Sequence, residues 1–420
     1  MKKVLALSAV SLAVSGSLFG QGLYNIMPYD DDPVDALPLE WVAGVNLGYD
    51  DNVSPNGTEL PGVSKDDSMY VGGFIQANYA NVQPQTTYDF WGRVGLQYYI
   101  DDIERGGGTG GTDDQVAWDL GVGFNITHRY SERLRFRSRN SMVYQIEPDY
   151  TTSFGPDRRV GQYFRYSTDN SVGYSWTERF ATVTGFRLNG VIYDDIDDRD
   201  VHEVLIYNQF RYRLSPATVL TASYRYGHTN NETGRDSDRH YILVGAEHRF
   251  SPTTVGVIRG GVTFFDGNSS HTAPYLEGTL RVRTNEQFSF RGFIRYGYED
   301  RGTFLNYTRG SGATFSAFYD ERITLRLGTQ ATYDLSPDVT LFGGINVVLA
   351  EYDDLDGVNS DPGAFSSIDE QLFNLNIGGS YRVMENVFVN GSYVYTNSGS
   401  DARSREYDRN RFNLGVRTTF

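Results

Sequence analysis

The sequence predicts an all-β protein, a transmembrane up-and-down antiparallel β-barrel, and three observations lead to that expectation. Polar and apolar residues alternate along segments of about 10–14 residues, the pattern of strands with one face in lipid and one in a lumen. Short turns and long polar connections join these segments alternately. Aromatic residues are plentiful, with 31 tyrosines and 25 phenylalanines among 420 residues, although only 39% of the chain is hydrophobic.

The first residues of the chain predict a secretory signal peptide. Lys2 and Lys3 precede a short apolar run over residues 4–14, and small residues follow as far as Gly20, apart from Leu18 and Phe19. Such a run is too short to anchor a protein across a membrane. The sequence leaves the cleavage position open. The expected organisation is a signal peptide over residues 1–20, a periplasmic arm rich in Asp and Pro over residues 21–38, and the barrel over residues 39–420.

The barrel is expected to have about 18 strands, with 16 as the alternative, since about 21 residues are available for each strand and its connection. An even number places both chain ends in the periplasm. The last strand has the clearest alternation, and the chain ends within it on Phe420. A long loop is expected over residues 300–314, before a fourteenth strand that begins near Asp320. This loop is the best candidate for a segment that folds into the lumen.

Side chains near strand ends and on the expected lipid face give two further indications. Tyrosines beside acidic loops are expected to form an aromatic girdle at the membrane interface. They are Tyr49, Tyr99, Tyr193, Tyr298 and Tyr352. Thr182, Thr184 and Asn170 fit the expected lipid face poorly because their side chains are polar. For Asn170 the sequence leaves two explanations open, a β-bulge or a different register.

The two ends of the expected barrel resemble known families. Residues 411–420 resemble the C-terminal signature that is read by the outer-membrane barrel assembly machinery. Residues 44–53, Gly-Val-Asn-Leu-Gly-Tyr-Asp-Asp-Asn-Val, resemble the first strand of outer-membrane β-barrel porins that are often encoded beside exopolysaccharide genes. The resemblance implies a barrel in the outer membrane of a Gram-negative bacterium, with membrane lipid and the assembly machinery as partners and Phe420 in the assembly signal.

Arginine residues give the most specific indication of a lumen. Four of them alternate along one expected strand, at Arg133, Arg135, Arg137 and Arg139. A lipid-facing arginine near the bilayer midplane costs about 2–4 kcal/mol, so this face is expected to line the lumen. The same argument places there Arg93, Arg187, Arg211, Arg213, Arg225, Arg259, Arg281, Arg283, Arg291, Arg295, Arg326, Arg382 and Arg417.

Many of these arginines fall near short turns, which predicts a basic periplasmic half of the lumen. One interpretation is a channel whose positive electrostatic field attracts anionic solutes. The alternative is that the arginines only pair with carboxylates of the same polar interior. The candidate partners are Asp89, Asp119, Glu203, Glu277 and Glu299. The sequence leaves both interpretations open.

Composition and motifs exclude several other classes of protein. A net charge of −16 argues against a general nucleic-acid binder. The absence of cysteine excludes disulfides and thiolate chemistry. The six histidines lack metal-ligand spacing, so no catalytic residue, metal or cofactor is expected, although Ca²⁺ binding by the paired loop aspartates stays open.

The expected function is therefore that of an outer-membrane channel and not of an enzyme. The specific hypothesis is the export or passage of an anionic saccharide, which the family resemblance implies. The first alternative is a general diffusion porin. Two others are a structural barrel with a plugged lumen and an outer-membrane hydrolase that uses His202, His228 and His271. The sequence leaves the oligomeric state open.

Overall fold

The structure is a computed structural model that covers the barrel with gaps in its connections. It describes residues 39–53, 55, 66–101, 115–154, 161–194, 200–232, 236–267, 270–284, 287–308, 314–353, 367–401 and 405–420. The expected signal peptide and periplasmic arm lie outside the described residues. No helix in these ranges is long and apolar enough to cross a membrane.

The described chain forms one antiparallel sheet of 18 strands. The strands are β1 Leu39–Asp50, β2 Ser68–Val82, β3 Thr86–Tyr99, β4 Val116–Arg129, β5 Leu134–Gln145, β6 Tyr163–Ser175, β7 Phe180–Tyr193, β8 Val201–Ser215, β9 Thr218–Asn231, β10 Ser237–Ser251, β11 Thr254–Asp266, β12 Ser270–Arg283, β13 Phe288–Thr308, β14 Thr314–Ser336, β15 Val339–Asp353, β16 Ser367–Met384, β17 Val387–Ser400 and β18 Tyr407–Thr419. Each strand pairs with its neighbours in the chain, and β1 also pairs with β18. The predicted all-β, up-and-down barrel of 18 strands is confirmed.

The barrel closes where the first and last strands meet. The register runs from Val42 beside Thr419 to Asp50 beside Arg411. Beyond it, the backbone N–H groups of Trp41 and Phe420 each donate to the other residue's carbonyl at 2.9 Å. The terminal aromatic residue therefore belongs to the hydrogen-bonded seam, and the sheet has no free edge.

The segment over residues 300–314 differs from the prediction of an inward loop. Its first part continues β13 as far as Thr308, and β14 begins at Thr314, which pairs directly with Thr308. Strand β14 thus starts earlier than the predicted Asp320. The sequence here is rich in Thr, Phe and Tyr, which favour strands, and this explains the extension. A register shift between Asp300 and Thr303 marks where the hairpin extends.

Alternate side chains of the strands form an apolar outer face and a polar inner face. Val45 and Val244 are typical of the outer face, with exposed fractions of 64% and 65%. Three tyrosines of the predicted girdle lie on the inner face instead: Tyr99 and Tyr352 are fully buried there, and Tyr193 pairs with the inner-face Tyr163. Their positions differ by one residue from those of outer-face neighbours such as Tyr98, and one residue changes the face of a strand.

Close packing of an aromatic ring thickens one part of the inner wall. The indole of Trp91 on β3 lies over Gly121 and Gly123 of the paired strand β4. A methyl group at either glycine would collide with the ring. Glycine at these positions lets a large side chain lie flat against the wall instead of projecting further into the interior.

Candidate channel interior

The connection between β5 and β6 enters the interior of the barrel. Tyr150 in this connection is buried and forms an apolar cluster with Val348 and Leu372. These two residues belong to β15 and β16, and β15 lies halfway around the 18-stranded sheet from β6. Because the connection contacts the opposite wall, residues 146–154 cross the interior. We call these residues the crossing segment.

Ion pairs and hydrogen bonds attach the crossing segment to distant strands. The carboxylate of Glu147 pairs with Arg409 at 2.9 Å and with Arg411 at 2.8 Å, both on β18. Arg326 of β14 donates to the Tyr150 carbonyl at 3.3 Å. Arg295 of β13 donates to the Ser153 hydroxyl at 3.2 Å. The segment is therefore held by charge-assisted contacts as well as by apolar packing.

Local geometry keeps the crossing segment compact where it leaves and rejoins the wall. The Asp149 carboxylate accepts from the backbone N–H of Thr151 at 3.0 Å, which closes a short turn. The Tyr163 hydroxyl donates to the Glu147 carbonyl at 2.8 Å. The chain returns to β6 through Gly161, whose φ of 124° favours glycine. These contacts define how the segment turns before it crosses the interior.

Burial of Tyr150 also affects its chemistry. Burial raises the pKa of the Tyr150 hydroxyl well above its ordinary value, and the nearby Arg409 opposes this effect only in part. The shift favours the neutral hydroxyl over the phenolate.

A network of paired charges covers part of the inner wall. Arg211 makes two hydrogen bonds of 2.7 Å to Glu247. Arg259 lies between Glu247, at 3.4 Å, and Glu277, at 2.8 Å. Arg225 completes the network with a 2.6 Å contact to Glu277. The network joins strands that are not sheet neighbours, and Arg211 and Glu247 are fully buried within it.

The predicted lumen arginines divide into four groups by their partners. Those that pair with carboxylates are Arg93, Arg187, Arg211, Arg225, Arg259, Arg326 and Arg382. A second group lies on the inner face and makes contacts there, and its members are Arg135, Arg137, Arg139, Arg281, Arg291 and Arg295. Those that form no ion pair with any described carboxylate are Arg213, Arg283 and Arg417. Arg133 lies in the turn before β5 and is exposed.

Arg417 is the clearest case of a guanidinium that forms no ion pair with a described carboxylate. Its Nε and Nη2 atoms are buried and have no hydrogen-bond partner among the described residues. The group lies over the ring of Phe388, with Cζ 4.7 Å from the ring centroid. A cation–π contact of this kind stabilises the charge without neutralising it.

Several residues of the interior were absent from the predicted set. They are Glu147, Arg239, Arg322, Arg405 and Arg409, and the pairing of Arg411 with Glu147 was not predicted either. The argument that hydrocarbon excludes charge applies equally to Arg322 and Arg409, which alternate with other inner-face residues of their strands. The sequence gives a weaker indication of the crossing segment than of these inner-face arginines. Ile146, Tyr150 and Phe154 are apolar residues in a connection, whereas the other long connections are rich in Gly, Asp, Asn and Ser.

The histidines of the hydrolase alternative do not come together. His202 lies on the outer face of β8 and bonds to the Tyr166 hydroxyl at 2.8 Å. His228 is also on the outer face, 3.0 Å from Asp238. His271 is on the inner face of β12, with its ring centroid 4.8 Å from that of Phe265. The described residues contain no group of three or more His, Asp or Glu that could hold a metal ion.

The two faces of the sheet define the environment of the protein. A closed sheet pairs the backbone polar groups of every strand, and apolar side chains cover its outer face. Of the structures made from strands, only such closed barrels satisfy their backbone hydrogen bonds within hydrocarbon. The architecture is that of a bacterial outer-membrane protein.

Known proteins resemble the chain only distantly. No family model matches the chain, and no curated protein matches it. Among solved structures, OccAB4 of Acinetobacter baumannii is 12% identical with a TM-score of 0.45, over 93% of this chain and 100% of that chain. A BenF-like porin from Pseudomonas fluorescens Pf-5 is 12% identical with a TM-score of 0.45, over 91% and 99%. The siderophore receptor PirA of Acinetobacter baumannii is 9% identical with a TM-score of 0.41, over 90% and 80%. At these identities and TM-scores the matches assign neither a family nor a function to this chain.

Proposed function

We propose that this protein is an outer-membrane channel whose solute path runs through the barrel and is narrowed by the crossing segment. The observation that carries the proposal is the contact of Tyr150 with the opposite wall. Barrels of this strand number enclose a lumen that side chains of the wall alone do not fill. A segment attached across that lumen leaves a narrower passage on either side of it.

The charge of the interior favours anionic solutes. Arginines outnumber carboxylates on the inner face of strands β5 to β14. Pairing neutralises several of them, but Arg213 and Arg283 near the short turns make no ion pair with a described carboxylate. A low-dielectric wall strengthens the field of such charges within a narrow passage.

The specific substrate class that we propose is an acidic saccharide. The surplus of arginine suits a carboxylated or sulfated sugar, because guanidinium groups bind planar anions through paired hydrogen bonds. The resemblance of residues 44–53 to porins encoded beside exopolysaccharide genes supports the same class. Membership in that family and the direction of transport belong to the proposal.

The channel proposal is tested by conductance in planar bilayers with a KCl gradient. The wild-type protein is expected to give single-channel steps and a reversal potential of the sign for anion preference. The Arg213→Glu/Arg283→Glu double variant should shift that potential toward cations. The matched control is Arg213→Lys/Arg283→Lys, which keeps both charges and should leave the potential unchanged. An absence of current from folded protein would contradict the channel, and equal potentials for the two double variants would contradict the role of these charges.

A second candidate function is a general diffusion porin. The crossing segment favours it, because an inward segment can select solutes by size alone. Swelling of proteoliposomes separates the two functions. A neutral sugar and an acidic sugar of equal size should enter at equal rates through a diffusion porin, whereas the acidic sugar should enter faster through the proposed anion channel.

A further inference from the structure

At mid-height of the sheet, one region of the outer face carries a cluster of polar side chains where most of the surrounding face is apolar. It lies at mid-height on strands β5 to β8, and we call it the polar outer patch. Its members are Ser138, Asn140, Thr168, Asn170, Thr184 and Asn208. All share the outer face with exposed apolar residues of the same strands, such as Met142, Val172 and Ile206.

The register shows that the patch is a regular part of the sheet. Ser138 pairs with Asn170, and Asn140 pairs with Thr168, without a bulge in either strand. Thr184 pairs with Asn208 on the next two strands. Asn170 therefore faces outward, and neither a bulge nor a shifted register removes it from the membrane side.

Hydrogen bonds within the patch use only part of its capacity. Asn140 donates to the Ser138 hydroxyl at 2.9 Å and accepts from Thr168 at 2.6 Å. Asn170 donates to the Thr168 hydroxyl at 2.7 Å. Asn208 donates to Thr184 at 2.6 Å. These bonds order the side chains, so that the patch presents a defined set of groups.

Unused donors and acceptors remain at the surface of the patch. The side-chain oxygen of Asn170 is accessible and accepts no hydrogen bond from a described residue. Each side-chain amide has two donors and an oxygen with two lone pairs, and each hydroxyl both donates and accepts. The patch therefore offers both kinds of group and carries no charge. Lipid tails can satisfy neither kind, and water is absent at this depth.

The position of the patch is distinctive among the outer-face amides of the described chain. The other side-chain amides on this face lie toward strand ends, where headgroups and water are within reach. They are Asn81, Asn230, Gln371, Asn397 and Asn410. The patch spans four neighbouring strands, which at a spacing of about 4.8 Å gives a width of about 14 Å. A band of this width matches a contact with another protein more closely than a single tolerated residue.

We propose that the polar outer patch binds a second copy of this chain within the membrane. A partner must lie in the bilayer and present donors and acceptors at the same depth. A second copy meets both conditions, because it inserts in the same orientation and carries the same groups. Symmetric oligomers use one self-complementary surface, and a neutral patch with both donors and acceptors has this property. Polar contacts between transmembrane helices act in the same way.

The test measures the subunit number of the full chain in lipid. Purified folded protein is reconstituted at low density into bilayers, and subunits are counted by single-molecule photobleaching. The wild type is expected to be oligomeric. The Asn140→Leu/Asn170→Leu variant should associate at least about tenfold more weakly, which corresponds to about 1.4 kcal/mol. The matched control is Asn397→Leu, an outer-face asparagine near a strand end, which should associate as the wild type does.

Folding is checked for every variant by heat-modifiable mobility in gels. If the first variant does not fold, the Thr184→Val/Asn208→Leu variant takes its place. A monomeric wild type would overturn the proposal, and so would an oligomer that persists in a folded patch variant. Binding only to a different membrane protein would overturn it as well. Single-channel conductance is measured in the same samples, so a failure of association is distinguishable from a failure of the channel proposal.

Discussion

Removing the side chain of Tyr150 should weaken the attachment of the crossing segment to the far wall. The ring is buried among Val348 and Leu372, so Tyr150→Ala loses nearly all of the apolar burial that this residue provides. Truncation of a buried large aromatic side chain costs about 3–5 kcal/mol. The ion pairs of Glu147 and the bond from Arg326 to the Tyr150 carbonyl remain, because neither uses the ring.

The free energy lost in Tyr150→Ala weakens docking of the crossing segment and does not destabilise the barrel wall. A loss of about 3 kcal/mol raises the undocked population by about 10²-fold relative to the docked one. We expect single-channel recordings of Tyr150→Ala to show a larger-conductance state that the wild type visits rarely. Heat-modifiable mobility should stay that of the wild type, since no strand pairing changes.

Two variants sharpen this experiment. Tyr130→Ala removes an exposed tyrosine from a short turn and should leave the conductance states unchanged. Leu372→Ala, on the far wall, should produce the same larger state as Tyr150→Ala, and the double variant should be less than additive because the two residues share one contact. A Tyr150→Ala channel with wild-type conductance and wild-type noise would refute the conclusion that this segment narrows the passage.

Three further predictions concern the inner wall and the seam. Deletion of Phe420 should lower the yield of assembled barrel in the outer membrane, because its backbone closes the seam; a normal yield with normal heat-modifiable mobility would contradict this. Arg135→Glu/Arg137→Glu should shift the reversal potential toward cations while the barrel still folds, since both residues lie on the inner face of β5; an unchanged potential with a lower melting temperature would leave only a polar-lined barrel. Glu247→Gln should lower the free energy of unfolding by about 3–5 kcal/mol, because it leaves two buried guanidinium groups without their shared carboxylate; urea unfolding in lipid vesicles measures this, and a loss below about 1 kcal/mol would show that the network is not stabilising.

Local chemistry was enough to predict the fold class and a barrel of about 18 strands, with 16 left open. Alternation with a period of two residues is a property of the strand itself, and it stays visible whatever the partner strands are. Turn residues between the strands mark their ends, and the chain's last strand carried the clearest alternation. Hydrocarbon excludes repeated charge, so the face that holds Arg135 and Arg137 could be placed inward before any contact was known.

The contacts between distant strands could not be predicted in the same way. Arg211 on β8 pairs with Glu247 on β10, and Arg225 on β9 pairs with Glu277 on β12. Each guanidinium reaches past its sheet neighbour because the closed wall curves and its strands are staggered. Sequence patterns indicate whether a residue faces inward or outward, but not its height in the wall relative to residues two or three strands away.

Only the tertiary structure shows that the crossing segment lies in the interior and that polar residues cluster on the outer face. The crossing segment was not predicted, because the sequence around Tyr150 does not indicate that Val348 and Leu372 lie on the opposite wall and contact it. The inward loop was expected instead at residues 300–314, where strong strand formers pair with one another and extend a hairpin. By itself Asn170 did not fit the expected lipid face, because its side chain is polar. Its outward position is explained only by the hydroxyls and amides that the register brings beside it on the same face. Alternation along a strand is a short-range property of the backbone, whereas docking across a lumen and clustering across strands depend on closure of the whole sheet.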